Sequence, residues 1–147
     1  MNALFNAIVD LLRFVCRHTG LTYAEINILL YCGLVPATWA LLLWRRRRNL
    51  WWVPAIHLFA IVGYLRARPW LSGFSDRFYD VNISALQYLA NVSGFGYVGI
   101  SILAGVVFPA GLYAALWSVP RRWLPALYVA LIVGNLAYYT WVWTGIN

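Results

Sequence analysis

Long apolar stretches alternate with short polar breaks along the whole chain. Four of them, at about 26–44, 50–65, 97–117 and 123–143, approach or reach the roughly 20 apolar residues that a bilayer span requires. Arginine-rich breaks separate the first stretch from the second and the third from the fourth. The pattern predicts four transmembrane helices arranged as two hairpins.

Residues 3–18 precede the first span and carry a different pattern. Polar side chains recur there at spacings of four, three and four residues, which places them on one stripe of a helix: Asn6, Asp10, Arg13 and Arg17. Apolar residues cover the opposite side, so we expect an amphipathic helix lying along the membrane surface. Gly20 is suited to end it in a left-handed conformation.

Residues 66–80 contain proline, glycine and serine and predict the only sizeable loop. Asp80 or Asn82 is placed to cap a second amphipathic helix over about 82–92. This helix would correspond to the one at 3–18.

The two hairpins repeat each other in sequence. An offset of 74 aligns Gly20 with Gly94, Tyr23 with Tyr97 and Ile26 with Ile100. Further along the chain, Pro36 matches Pro109, Trp44 matches Trp117, and Trp52-Val53-Pro54-Ala55 matches Trp123-Leu124-Pro125-Ala126. We therefore expect one all-α integral membrane domain over 1–147, built by tandem duplication of a surface helix plus a two-span hairpin, with repeats at 1–70 and 75–147. Because each half has two spans, both insert in the same direction, and a pseudo-twofold axis should run along the membrane normal.

Composition excludes an ordinary water-soluble core, since 63% of residues are hydrophobic and the mean hydropathy is +0.70. The net charge is +7, and every basic residue is an arginine. Six of them lie in the hairpin turns, where we expect contact with lipid headgroups: Arg45, Arg46, Arg47, Arg48, Arg121 and Arg122. The dense block after the first span predicts cytoplasmic turns and both termini outside, in a multi-pass protein of a bacterial inner membrane. No basic soluble domain is present to bind nucleic acid.

The third span is rich in small residues. Ser101 and Gly105, and then Ala110 and Ala114, are spaced four apart. Such spacing lets helix backbones approach closely, so we expect helix packing to centre on this span. Cys16 and Cys32 lack metal or redox spacing and are expected to be buried free thiols.

His57 is the only histidine within a span and the only candidate cofactor ligand. A polar ring in hydrocarbon needs a partner, and Thr38 across the first hairpin, a residue of another subunit or a bound cofactor would serve. The matching residue of the second half is Tyr128, which favours a structural hydrogen bond. We expect a neutral, metal-free histidine pointing into the bundle, and predict no cofactor.

Polar residues concentrate in the first half of the chain. They give a candidate polar site made of Glu25, Asn27, Thr38, His57 and Asn135. A purely structural role is also open for Glu25, as part of a capping box with Thr22 at the start of the first span. The sequence offers no nucleophile–base pair and no metal-ligand cluster, so no catalytic or metal-binding residue is assigned.

These features favour a non-catalytic accessory or assembly subunit of a larger membrane complex. The alternative is a subunit of a small-solute or lipid transporter or channel working as a homo-oligomer, which the repeat supports. A membrane-embedded enzyme or a cofactor-binding electron-transfer subunit is less favoured. The expected partners are membrane lipids and either other membrane subunits or further copies of the chain.

Overall fold

The computed structural model describes the backbone of residues 2–145, and that part of the chain is helical with no strand. Its α-helices are α1 (Asn2–Thr19), α2 (Tyr23–Ile28), α3 (Val35–Arg46), α4 (Trp52–Ser93), α5 (Gly96–Ile102), α6 (Phe108–Ser118) and α7 (Leu124–Gly145). Two π-helical segments join α2 to α3 and α5 to α6; we call Leu29–Leu34 the first π segment and Leu103–Val107 the second. Short 3-10 turns at Arg48–Leu50 and Arg121–Trp123 form the turns of the first and the second hairpin.

Four helical stretches are long and apolar enough to cross a membrane. They are Tyr23–Arg46, Arg48–Ser93, Gly96–Ser118 and Arg121–Thr144, and they contain the four predicted spans. Large apolar side chains on the outer surface agree with lipid contact: Phe59 is 80% exposed and Trp70 is 82% exposed. The prediction of four helices of this length and composition is confirmed, and they fit a multi-pass membrane protein.

The predicted loop at 66–80 is wrong, because α4 continues through it to Ser93. The predicted second surface helix at 82–92 is the last part of α4, so Asp80 and Asn82 lie inside a helix and cap nothing. At 1.5 Å per residue, the 42 residues of α4 would extend about 63 Å if straight, twice the thickness of a bilayer core.

Helix α4 is not straight. The hydroxyls of Tyr64 and Ser75 lie 2.9 Å apart, although these residues are separated by 11 positions in the chain. In a straight helix the two residues would lie about 16 Å apart along the axis, and their side chains together could not span that distance. Pro69 lies between them inside the helix, and a proline there removes a backbone hydrogen bond and causes a kink. We conclude that α4 bends near Pro69 toward the face that carries Tyr64 and Ser75.

Helices α1 and α4 end in the same way. Gly20 and Gly94 follow them with φ of 67° and 74°, a left-handed conformation that glycine adopts without steric cost. The hydroxyls of Thr19 and Ser93 each accept a hydrogen bond of 3.4 Å from the N–H two residues further on. The sharp turn at Gly20, expected from the sequence, is confirmed.

The main buried core lies where the two hairpin turns meet. Its members come from the ends of α3 and α6 and the starts of α4 and α7: Trp39, Ala40, Leu43, Val53, Leu116 and Leu124. Both hairpin turns therefore lie at the same end of the bundle. The expectation that packing centres on the third span is wrong, since that span buries Ile100 of α5 and Leu116 of α6, whereas the first span buries six residues.

Candidate ligand cavity

A large cavity lies between the two pairs of spans. Its volume is about 1460 Å³, and α1, α2, both π segments, the last part of α4, α5 and α7 contribute to its walls. Most of the lining side chains are apolar. The polar groups among them are two arginines of α1, three asparagines, several tyrosines and serines, and both cysteines.

The π segments of the first and third spans lie at the level of the cavity. Tyr31 and Cys32 of the first π segment and Gly105 of the second line it. π-Helical turns occur frequently at functional sites. A Cβ at Gly105 would lie only 2.8 Å from the Tyr31 hydroxyl oxygen, so glycine provides the space that this tyrosine occupies. The predicted close approach at Gly105 therefore involves a side chain and not a neighbouring backbone.

Three asparagines place amide groups on the cavity wall. The side-chain N–H groups of Asn27, Asn82 and Asn135 donate to the carbonyl four residues earlier, at 2.7, 2.7 and 2.8 Å. The oxygen Oδ1 of Asn82 accepts a hydrogen bond of 3.2 Å from the Tyr138 hydroxyl. The Asn27 side chain also interacts with the Tyr23 side chain, and within the described residues no donor reaches Oδ1 of Asn135. The wall thus offers the Asn135 oxygen as a free acceptor among mostly apolar side chains.

Other polar atoms of the lining are partly or wholly without protein partners. The Cys32 sulfur lies 3.1 Å from the Tyr139 hydroxyl oxygen, and Cys32 is exposed to the cavity, so its expected burial is wrong. Trp39 Nε1 and Ser101 Oγ are buried and meet no hydrogen-bond partner among the described residues. Leaving such groups unpaired costs free energy, which a bound polar group or water would offset.

His57 lies outside the cavity, near the hairpin turns. Its Nδ1 is 2.9 Å from the Val53 carbonyl oxygen and its Nε2 is 3.2 Å from the Tyr128 hydroxyl oxygen. A carbonyl only accepts, so Nδ1 carries a proton and donates to Val53, while Nε2 pairs with the Tyr128 hydroxyl. Thr38, the partner considered across the hairpin, instead bonds to the Val35 carbonyl and the Tyr113 hydroxyl. Both ring nitrogens of His57 are therefore engaged by protein groups.

Glu25 forms a separate polar cluster at the start of the first span. The capping box predicted with Thr22 is confirmed, with backbone-to-side-chain distances of 2.7 and 3.2 Å. The same carboxylate accepts a hydrogen bond of 2.7 Å from Arg68 Nε, and Arg68 Nη2 donates at 2.5 Å to the Gly20 carbonyl. The side chain of Glu25 is 3% exposed and that of Arg68 is 35% exposed. This ion pair ties α4 just before its bend to the beginning of α2, a contact that the sequence pattern does not predict.

The arginines of the hairpin turns lie at the opposite end of the bundle from Gly20. Arg46 Nη1 donates to the Leu116 carbonyl near the end of α6, where a cation stabilises the exposed carbonyls. The guanidinium of Arg48 lies 5.7 Å from the centre of the Trp44 ring. Arg45, Arg46 and Arg121 border a small pocket of about 170 Å³. Contact with lipid headgroups stays a prediction for this set.

The cavity unites only part of the predicted polar site. Asn27 and Asn135 share it, whereas Glu25, Thr38 and His57 lie elsewhere. Sequence reasoning missed the roles of Asn82, Tyr138 and Tyr139 in the cavity wall. The predicted topology did place the start of the second repeat, with Asn82, and the end of the fourth span, with both tyrosines, at the same membrane face, which was a weak indication that they meet. No metal-ligating cluster of histidine, cysteine or acidic residues occurs in the described part of the chain. The chain matches no protein-family model, no curated protein and no solved structure.

Proposed function

We propose that the chain arose by tandem duplication and that its halves, 1–70 and 75–147, are related by a pseudo-twofold axis along the membrane normal. Two ring contacts support this proposal. Phe5 meets Tyr97 edge to face at 6.3 Å, and Tyr79 meets Tyr23 edge to face at 5.8 Å. The offset of 74 converts Phe5 into Tyr79 and Tyr23 into Tyr97. Such reciprocal contacts are what a twofold axis between two equivalent units produces.

Residues beside a twofold axis must also meet their own equivalents. Tyr31 contacts Gly105 and His57 contacts Tyr128, while Leu43 with Leu116 and Val53 with Leu124 share one buried core. Each pair joins positions that the repeat aligns. These contacts support an axis running from the hairpin turns toward the cavity.

The proposed orientation places the arginine-rich hairpin turns in the cytoplasm and both termini outside. The block Arg45–Arg48 supports this orientation, because positive charge accumulates on the cytoplasmic side of membrane proteins. The shared position of both turns at one end of the bundle agrees with halves that insert in the same direction. The protein is then a multi-pass component of a bacterial inner membrane.

The function that the geometry supports best is binding of an amphiphilic molecule between the two halves, as part of a lipid or small-solute transporter. The cavity carries this proposal. At about 1460 Å³ it exceeds the roughly 300–1,000 Å³ of pockets for drug-sized ligands, and its apolar walls carry a few polar groups, as ligand sites do. The accessory function stays a prediction, which a stable set of co-purifying membrane proteins would support.

Two equivalent glycines provide a test of the cavity. Gly134 of α7 lines it and Gly63 of α4 does not, and a Cβ at either position meets nothing within 4 Å. Gly134→Phe should place a ring in the cavity without a backbone clash, whereas Gly63→Phe should place one outside it. We expect native mass spectrometry in mild detergent to show several-fold less retained lipid for Gly134→Phe, with Gly63→Phe like the parent. Equal lipid retention in all three folded proteins would contradict the proposal.

A further inference from the structure

The face of α1 that lines the cavity changes character along the helix. Its first turns contribute apolar side chains, Phe5, Ile8, Val9 and Leu12, and its last turns contribute Arg13 and Arg17. The two arginines are four positions apart, so they are neighbours on one helix face. Helix α1 ends at Thr19, just before the first candidate span begins at Tyr23, so we expect its cationic end to lie at the level of the membrane surface.

Arg13 and Arg17 make no ion pair within the described residues. In the part of the chain that the structure describes, the ion pair joins Arg68 to Glu25, and no carboxylate pairs with Arg13 or Arg17. Both arginines are exposed at the rim of the cavity. A guanidinium binds phosphate oxygens through two parallel hydrogen bonds, and two of them side by side suit one phosphate group.

The second half lacks this feature. The repeat aligns Arg13 with Gln87 and Arg17 with Asn91, both uncharged. General attraction to an anionic membrane surface would be served equally by arginines on α1 or on the last part of α4, the segment that the repeat aligns with α1. The two arginines without carboxylate partners occur in one half only, at the cavity rim, and a single anion-binding site explains this restriction better.

From these observations, and resting on the proposed cavity function, we infer that the ligand is an anionic phospholipid whose phosphate is held by Arg13 and Arg17 and whose acyl chains occupy the apolar part of the cavity. One such lipid binds per chain. Asn27 and Asn135 line the same cavity, and the Oδ1 atom of Asn135 can accept a hydrogen bond from the lipid or from water.

The experiment compares headgroups in nanodiscs that contain equal amounts of phosphatidylglycerol and phosphatidylcholine. After extraction in mild detergent, native mass spectrometry counts the lipids bound to the parent and to Arg13→Gln/Arg17→Gln. The parent should retain one phosphatidylglycerol. Since a basic residue near an anionic surface strengthens binding about fivefold, the double variant should lose preference for phosphatidylglycerol by roughly 25-fold while still binding phosphatidylcholine.

A matched control removes two arginines of α4 that do not line the cavity. Arg66→Gln/Arg77→Gln lowers the net charge equally and should leave the preference unchanged. An equal loss in this control, or an unchanged preference in Arg13→Gln/Arg17→Gln, would overturn the assigned headgroup site. Displacement of the lipid by millimolar inorganic phosphate would overturn its assignment to a lipid.

The two proposals fail in different ways. Lipid that is lost in Gly134→Phe but shows no headgroup preference in the parent would retain the cavity function and reject the phosphate site. A parent that binds neither phospholipid would reject both.

Discussion

The ion pair between Arg68 and Glu25 should respond unequally to loss of either partner. The side chain of Glu25 is 3% exposed, whereas that of Arg68 is 35% exposed and also donates to the Gly20 carbonyl. Arg68→Gln leaves a buried carboxylate supported mainly by Thr22. Glu25→Gln leaves a guanidinium that can turn toward water or headgroups, and glutamine keeps the capping geometry.

The expected magnitudes follow from these exposures. Removing one partner of a fully buried ion pair costs about 3–5 kcal/mol, and the partial exposure of Arg68 reduces this to about 2–3 kcal/mol for Arg68→Gln. Glu25→Gln should cost only about 0.5–1 kcal/mol, as for an exposed pair. The double variant buries no charge and should recover about 1 kcal/mol relative to Arg68→Gln.

Thermal unfolding in mild detergent can resolve this order. At roughly 4 °C per kcal/mol for a chain of this length, Arg68→Gln should lower the Tm by about 8–12 °C and Glu25→Gln by about 2–4 °C. The double variant should lie between them. A Glu25→Gln protein that is as unstable as Arg68→Gln, or a double variant less stable than both, would refute the reasoning from burial.

Two further predictions concern packing and orientation. Gly105→Ala should lower the free energy of unfolding by about 1–2 kcal/mol, because its Cβ would lie 2.8 Å from the Tyr31 hydroxyl oxygen. Adding Tyr31→Phe to this variant should restore its Tm. The control Gly111→Ala, where a Cβ meets nothing within 4 Å, should raise the free energy of unfolding by up to about 1 kcal/mol. In a background without native thiols, a cysteine at Asn49 should be shielded from an impermeant reagent in intact cells while one at Ser72 reacts, and the reverse would invert the proposed topology.

The four spans could be predicted because each depends on local composition, whereas the continuity of α4 depends on contacts between distant residues. Pro69 and Gly73 indicate a break in sequence. In the structure the chain remains helical there, bends at the proline, and is held by Arg68 on Glu25 and by Tyr64 on Ser75. The tertiary contacts of α4 therefore outweighed the local tendency of Pro69 and Gly73 to end a helix.

The cavity was harder to predict for a related reason. Its polar wall joins Asn82 to Tyr138, which are separated by 56 positions, and π-helical segments that no apolar periodicity specifies contribute to its lining. Asn27 and Asn135 were identified because a polar residue within a span is conspicuous by itself. Asn82 escaped notice because it was assigned to a surface helix.

The contact of His57 with Tyr128 has a consequence for how such a protein evolves. In a symmetric dimer of identical chains, a residue on the axis must face a copy of itself, so the choice would be two histidines or two tyrosines. Under the proposed duplication, one continuous chain can set a hydrogen-bond acceptor against a donor, and likewise a bulky Tyr31 against a Gly105 that makes room for it. Joining the halves thus permits complementary pairs at the very positions where symmetry would forbid them.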